Sequence, residues 1–316
     1  MLFATVLLTV FASTASTTPY FRKFGDFSKI TQQENDYLQK ICGTDTGGQQ
    51  DMIDFGEIAK QNQFPWAVAI ENHTDPSNPL HYCTGTIISR RHVVTSAHCI
   101  INEHILFPVE TKCSAPVGKI EDEISPSHLY HNVYVAYKGH CQVLRNKYAK
   151  LNTDKGCEKD DLKRVKVKSV AFDTRFRDNC KVYDAAVIEV EEDIEFSFKD
   201  KLVIPACFVH PDDILTTMAT TFYGYGFVGV SNDSDYSEKF TALRFGHGRV
   251  HKQEKGLLTI ETSKSDTPRA TIDSGDSGGG TQALKCTGKA PTLLQFPISP
   301  ISSPVIYERT LQRSAS

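Results

Sequence analysis

Short runs of β-branched and aromatic residues, each fenced by turn residues, set the strongest limit on how this chain can fold. Ala67-Val68-Ala69-Ile70, Thr86-Ile87-Ile88, His92-Val93-Val94-Thr95, residues 165–172 and 185–190, and Thr221-Phe222-Tyr223 are too short for independent helices. They carry the side chains that suit a pleated, half-buried surface. Strands at such spacing, with little helical periodicity between them, predict an all-β sandwich or barrel. A hydrophobic share of 40% supplies a core, and 10% aromatics weigh against disorder. Net charge is −3, from 35 basic and 38 acidic residues. That excludes nucleic acid as a default partner, because counterion release needs a basic excess.

Nine cysteines without one CxxC pair argue for disulfides in an oxidising compartment rather than a metal cluster. The N-terminus agrees. Leu2 to Ala12 is apolar but too short to cross a bilayer, and Ser13-Thr14-Ala15-Ser16 supplies small residues for signal peptidase. The alternative is a short buried strand or helix at the start of the fold. No second apolar stretch suits an anchor, so the expectation is a secreted, extracellular protein with no membrane partner. Thr31-Gln32-Gln33-Glu34 reads as a capping box opening a helix to about Lys40, with Gly43 ending it just after Cys42. Residues 43–51 have linker chemistry. The expected division is a signal peptide over 1–16, a propeptide with a short helix over 17–52, and the main domain over 53–316.

Three motifs carry chemistry. Thr95-Ser96-Ala97-His98-Cys99 puts a histidine at the end of a strand, with a cysteine beside it. Tyr183-Asp184-Ala185-Ala186-Val187 puts a carboxylate at the mouth of an apolar strand, where an ionised acid needs a donor such as a histidine N–H. Asp273-Ser274-Gly275-Asp276-Ser277-Gly278-Gly279-Gly280 surrounds Ser277 with glycines that let backbone N–H groups converge on one point. Singly these are a structural histidine, a strand cap and a loop. Together, in the order His, Asp, Ser on a β-rich chain, they form a constellation for nucleophilic acyl transfer. An esterase on an α/β-hydrolase fold fits Gly275-Asp276-Ser277-Gly278-Gly279 formally, but there the serine comes first.

At this point the chain resembles the trypsin-like (chymotrypsin-fold) serine proteases of family S1. Ile53-Asp54-Phe55-Gly56, Phe64-Pro65-Trp66-Ala67-Val68, Cys83-Thr84-Gly85-Thr86, Gly224-Tyr225-Gly226 and Ile204-Pro205-Ala206-Cys207 are similar to that family's segments in type and order. The segment from Thr31 to Gly43 looks most like a divergent secreted branch found in nematodes. The resemblance covers about residues 53–280. It implies two antiparallel six-stranded β-barrels with a site in the cleft, and a secreted endopeptidase zymogen acting on protein or peptide substrates. His98, Asp184 and Ser277 would be its triad, and Gly275 and Ser277 its oxyanion donors. It further implies an activation pair between the new amine of Ile53 and Asp276, a disulfide between Cys83 and Cys99, and a tether between Cys42 and Cys207. No cofactor is implied.

Several features depart from the family. Met52, not Arg or Lys, precedes Ile53, so a trypsin-like activator would not cut there; another activating protease is one solution. Thr271 stands where the base of the substrate pocket belongs and offers no charge for a basic side chain, and Asp273 takes the place of a pocket cysteine. The interval between His98 and Asp184 is long, and residues 108–158 carry Cys113, Cys141 and Cys157, with Cys180 shortly after. His128, His131 and His140 lie among them, but their spacing is wrong for common zinc modules, so disulfides of open connectivity and no metal are expected. From about residue 281 the chain no longer resembles the family. Thr281 to Lys285 is a weak strand, Pro291, Pro297, Pro300 and Pro304 follow, Cys286 lacks an evident partner, and the second barrel is expected to be incomplete. A catalytically inactive homologue that binds partners is therefore the competing reading. Asn72-His73-Thr74 and Asn232-Asp233-Ser234 are glycosylation sequons predicted on surface loops. The alternation of Lys163 to Lys168 predicts a half-buried strand with Val165 and Val167 inward, rather than a basic binding patch.

Overall fold

The computed structural model describes residues 21–43, 57–75, 80–100, 130–142, 157, 159–173, 183–200, 202–207, 219–226, 242–254, 257–262, 276–285 and 292–297. Strand β1 (Phe21–Phe24) and helix α1 (Gln32–Ile41) come first. The Thr31 side chain accepts a hydrogen bond from the Glu34 amide at 3.1 Å, so α1 starts at the box read from the sequence. Strands β2 (Glu57–Ile58), β3 (Ala67–Asn72), β4 (Leu80–Ile87) and β5 (His92–Thr95) follow, then a 3-10 turn at Ala97–Cys99. β6 (Val133–Tyr137), β7 (Lys163–Asp173) and β8 (Ala186–Val190) complete the first half. β9 (Ala219–Gly224), β10 (Arg244–Glu254), β11 (Leu257–Thr262), β12 (Gly280–Lys285) and β13 (Thr292–Pro297) make the second.

The first half is a closed barrel. Strand order β7-β6-β3-β4-β5-β8 returns to β7 through a β7–β8 ladder, so six strands have no free edge in the ring. Alternation fills it: Ala186, Ile188 and Val190 of β8 point inward with Val68, Ile70, Val93, Val135, Val167 and Val170. β1 lies outside the ring, paired antiparallel with β7 from Phe21↔Asp173 to Phe24↔Val170. The second half is a sheet of order β11-β10-β9-β12-β13, with β2 paired to β10. Among the described residues this second sheet does not close, so a barrel pair is not what they form. The halves join where Phe64 stacks on Tyr223 with ring centroids 4.9 Å apart and meets Phe245 in a tilted contact at 5.4 Å.

Two details correct the sequence reading. Thr281–Lys285 was expected to be a weak strand, yet β12 is central, bonded to both β9 and β13. The proline-punctuated tail still supplies β13, because Pro297 is its last residue on the open edge, where no ladder donor is needed. The basic face of β7 is not simply solvated. Val165 and Val167 are inward as expected, but Arg164 and Lys168 pair with Glu71 and Glu189, two fully buried carboxylates.

Candidate active site

The end of β5 and the 3-10 turn present His98, and the short segment leading into β8 presents Asp184. Asp184 holds the histidine at two points. Its Oδ2 lies 2.7 Å from His98 Nδ1, and its Oδ1 accepts from the His98 backbone N–H at 2.9 Å. This fixes both the ring and the turn, and leaves Nε2 as the ring nitrogen not engaged by the carboxylate. The carboxylate is aimed by a tight turn. The Ala185 amide donates to the Tyr183 carbonyl at 2.8 Å across Asp184, and Tyr183 adopts a left-handed φ of 61°. That conformation is costly for an aromatic residue and persists only where neighbours impose it. A disulfide joins Cys83 of β4 to Cys99 in the same turn, and Cys99 Sγ lies 3.8 Å from His98 Nε2.

Ser277 is buried, in the segment that leads into β12 of the second half. The Thr84 amide of β4 donates to the Ser277 carbonyl at 2.8 Å, which sets the serine segment beside the strand that carries Cys83. Gly278 follows with φ of +77°, and a Cβ there would lie 2.1 Å from Thr95 Oγ1 and 2.4 Å from the Thr84 carbonyl. Only glycine fits both the angle and the space. Thr84 ties three segments together: its hydroxyl accepts from the Tyr225 amide at 2.9 Å, and its carbonyl accepts from Thr95 Oγ1 at 2.8 Å. Asp276 Oδ1 accepts from the Gly226 amide at 2.7 Å, so the 224–226 turn wraps the carboxylate. A Cβ on Gly226 would sit 2.4 Å from that carboxylate.

Of the residues singled out in the sequence, His98 and Asp184 are in contact, and Ser277 and Asp276 are bonded into the adjoining strand and turn. Ile53, Gly275, Thr271 and Asn232 lie outside the described residues, as do Cys113, Cys180 and Cys286. Cys42 and Cys207 are joined, and so are Cys141 and Cys157, which settles one connectivity left open by the sequence. The two His/Cys groupings, His98 with Cys83 and Cys99 and His140 with Cys141 and Cys157, contain only disulfide sulfurs and offer no thiolate to a metal. Asn72 ends β3, and its Oδ1 accepts from both the amide and the hydroxyl of exposed Thr74, at 2.8 and 2.6 Å.

Sequence reasoning missed the two buried acids. Burial alone would raise the Glu71 carboxyl, but Arg164, with Gln142 and His73, outweighs it and holds Glu71 below its ordinary range. The available signal was a lone Glu in each of two otherwise apolar strands, opposite alternating cations.

Comparisons with known proteins agree with this frame. Residues 20–170 match the model of the nematode trypsin-6-like family. Venom serine protease 34 of Apis mellifera is 30% identical over 167 residues, 52% of this chain and 32% of that protein. Phenoloxidase-activating enzyme 1 of Spodoptera litura is 34% identical over 59 residues, 19% of this chain and 15% of its own. Melanization protease 1 of Drosophila melanogaster is 38% identical over 60 residues, 19% of this chain and 14% of its own. The matched part thus spans a third or less of these relatives. No helix among the described residues is long and apolar enough to cross a membrane. A closed six-stranded barrel carrying a buttressed His–Asp pair, together with these matches, makes the chain similar to the trypsin-like serine proteases, with residues 20–170 similar to the nematode trypsin-6-like family.

Proposed function

We propose that the chain is a secreted serine endopeptidase, made with a signal peptide over 1–16 and a propeptide over 17–52. In this reading Ser277 attacks the scissile carbonyl, His98 Nε2 takes its proton and returns it to the leaving amine, and Asp184 orients the ring and stabilises its cation. Backbone N–H groups of Gly275 and Ser277 receive the oxyanion. Thr271 is the uncharged base of the substrate pocket, so no preference for basic side chains is expected. Cleavage before Ile53 by another protease frees an amine for Asp276, which would have to release the Gly226 amide or share it. The second barrel, incomplete among the described residues, forms the other side of the cleft. The observation that carries the reading is the double grip of Asp184 on His98, since a carboxylate that fixes both the main chain and Nδ1 of one histidine presets its tautomer.

Met52 and the open second sheet favour a second reading, a homologue that binds partners without catalysis. Labelling with a fluorophosphonate probe separates the two. The uncut chain is expected to be nearly inert, and the chain cut before Ile53 to label weakly at Ser277 and not in Ser277→Ala. A cut, folded protein that takes no label overturns the enzyme reading.

A further inference from the structure

Residues on the outside of a small barrel normally face water, yet one outer patch of this barrel is buried. Val187 and Glu189 of β8, His92 and Val94 of β5, Ser169 of β7 and Ile88 all point away from the barrel core and are all buried. What covers them is the segment that leads from β1 to α1. Phe27 packs against Ile88, Val94 and Val187, and its ring stacks on His92 with centroids 6.2 Å apart. The next amide, Ser28 N–H, donates to Glu189 Oε2 at 2.7 Å, and Arg91 donates to the Ser28 hydroxyl at 3.2 Å. Lys168 donates to the other Glu189 oxygen at 3.0 Å. Gly25, at φ +92°, brings the chain so near that a Cβ would meet Ser169 Cβ at 2.7 Å.

Backbone pairing extends the contact. β6 bonds β7 only over Lys163–Lys166, while β8 takes the opposite edge from Val167 to Phe172. The edge of β7 beyond β6 would be left open, and β1 occupies it over Val170–Asp173. The segment then ends at Gly43, whose amide donates to the Pro205 carbonyl at 3.0 Å beside the Cys42–Cys207 disulfide.

We propose that residues 21–43 are a permanently docked light chain. Strand addition to β7 and the Phe27–Ser28 plug over Glu189 hold this segment to the outside of the first barrel after the chain is cut between residues 43 and 53, independently of the Cys42–Cys207 bond. The segment is then a subunit of the mature protein and not a discarded leader. The family match, which begins at residue 20, includes the whole of it. The inference does not depend on catalysis and survives if the enzyme reading fails.

The test uses the full chain with Cys42→Ser and Cys207→Ser and a sequence-specific protease site placed between residues 43 and 53. After cutting, size exclusion and native mass spectrometry are expected to find the fragment still bound. Adding Phe27→Ala should weaken its retention by at least about tenfold, as for losing a half-buried aromatic contact. A fragment that separates from a folded core as readily with Phe27 as without it overturns the proposal. Should cutting unfold the core, hydrogen exchange on the uncut chain decides. Protection of the Ser28 amide that falls at least about tenfold in Glu189→Ala supports the dock; a Ser28 amide that exchanges like open chain in the unaltered protein overturns it.

Discussion

At the scale of single residues, Thr84 and Asp184 show how few side chains hold the site. The Thr84 hydroxyl satisfies the buried backbone N–H of Tyr225, which glycine at this position would leave without that acceptor. Thr84→Gly is therefore expected to lower stability in urea by about 1–3 kcal/mol, the cost of an unsatisfied buried donor. Asp184→Asn should keep the fold and its melting temperature nearly unchanged but lower probe labelling of the cut protein by orders of magnitude, because the amide stabilises the wrong imidazole tautomer. Equal labelling by the two proteins would count against the assigned roles. The motifs around both residues were legible as short strings in the sequence. The main-chain half of the Asp184 grip was not, since it depends on the left-handed turn at Tyr183, which no side-chain pattern encodes.

Among the elements, β7 explains what alternation can and cannot tell. Its inward valines follow from period two, and so does its existence as a strand. Its partners do not, because Glu71 and Glu189 reach it from β3 and β8 through the closure of the ring. Arg164→Ala should destabilise the protein by about 3 kcal/mol in denaturant titration, since it removes the main cation from a fully buried carboxylate. The docked segment adds a pH dependence. Burial holds His92 below its ordinary 6.5, with Arg91 and Lys168 also opposing its charge against the attraction of Glu189. Burial alone would raise Glu189 above its ordinary 4.5, but the hydroxyl and amide of Ser28 and the ammonium of Lys168 hold it lower. In both cases the unfolded state binds the proton more readily, so stability is full above pH 6.5, begins to fall below it through His92, and falls further below 4.5 through Glu189. The docked segment's own hydrogen bonds act on Glu189, so fragment retention in the cut, disulfide-free protein should decline below pH 4.5, and His92→Gln should remove the upper part of the decline in global stability.

For the whole molecule, the two halves differ in how their edges are managed. The first is closed and its spare edge is capped by β1, whereas the second ends among the described residues in β11 and β13. Native-state hydrogen exchange is therefore expected to be slowest in β3, β4 and β8 and faster by orders of magnitude in β11 and β13; uniform protection would contradict this. The all-β class was readable from run length and turn spacing alone. β6 was hidden because Val133–Tyr137 sits inside the long interval between the histidine and aspartate motifs, which read as surplus loop. β10, with Gly246 and Gly248 and four charged residues among its eleven, has a weak strand pattern, and pairing with β9 on one side and β11 and β2 on the other is what makes it a strand.

The bond between Cys83 and Cys99 has a consequence in time as well as space. It closes a loop across only 16 positions, and its main local effect is to hold the turn that presents His98. Most of the barrel's core lies elsewhere, in strands that need no oxidant to pair. Without that bond the strand ladders keep their own hydrogen bonds, while the histidine turn loses its covalent anchor to β4. The bond is thus a local clamp on one turn, and reducing it is expected to change that turn before it changes the barrel.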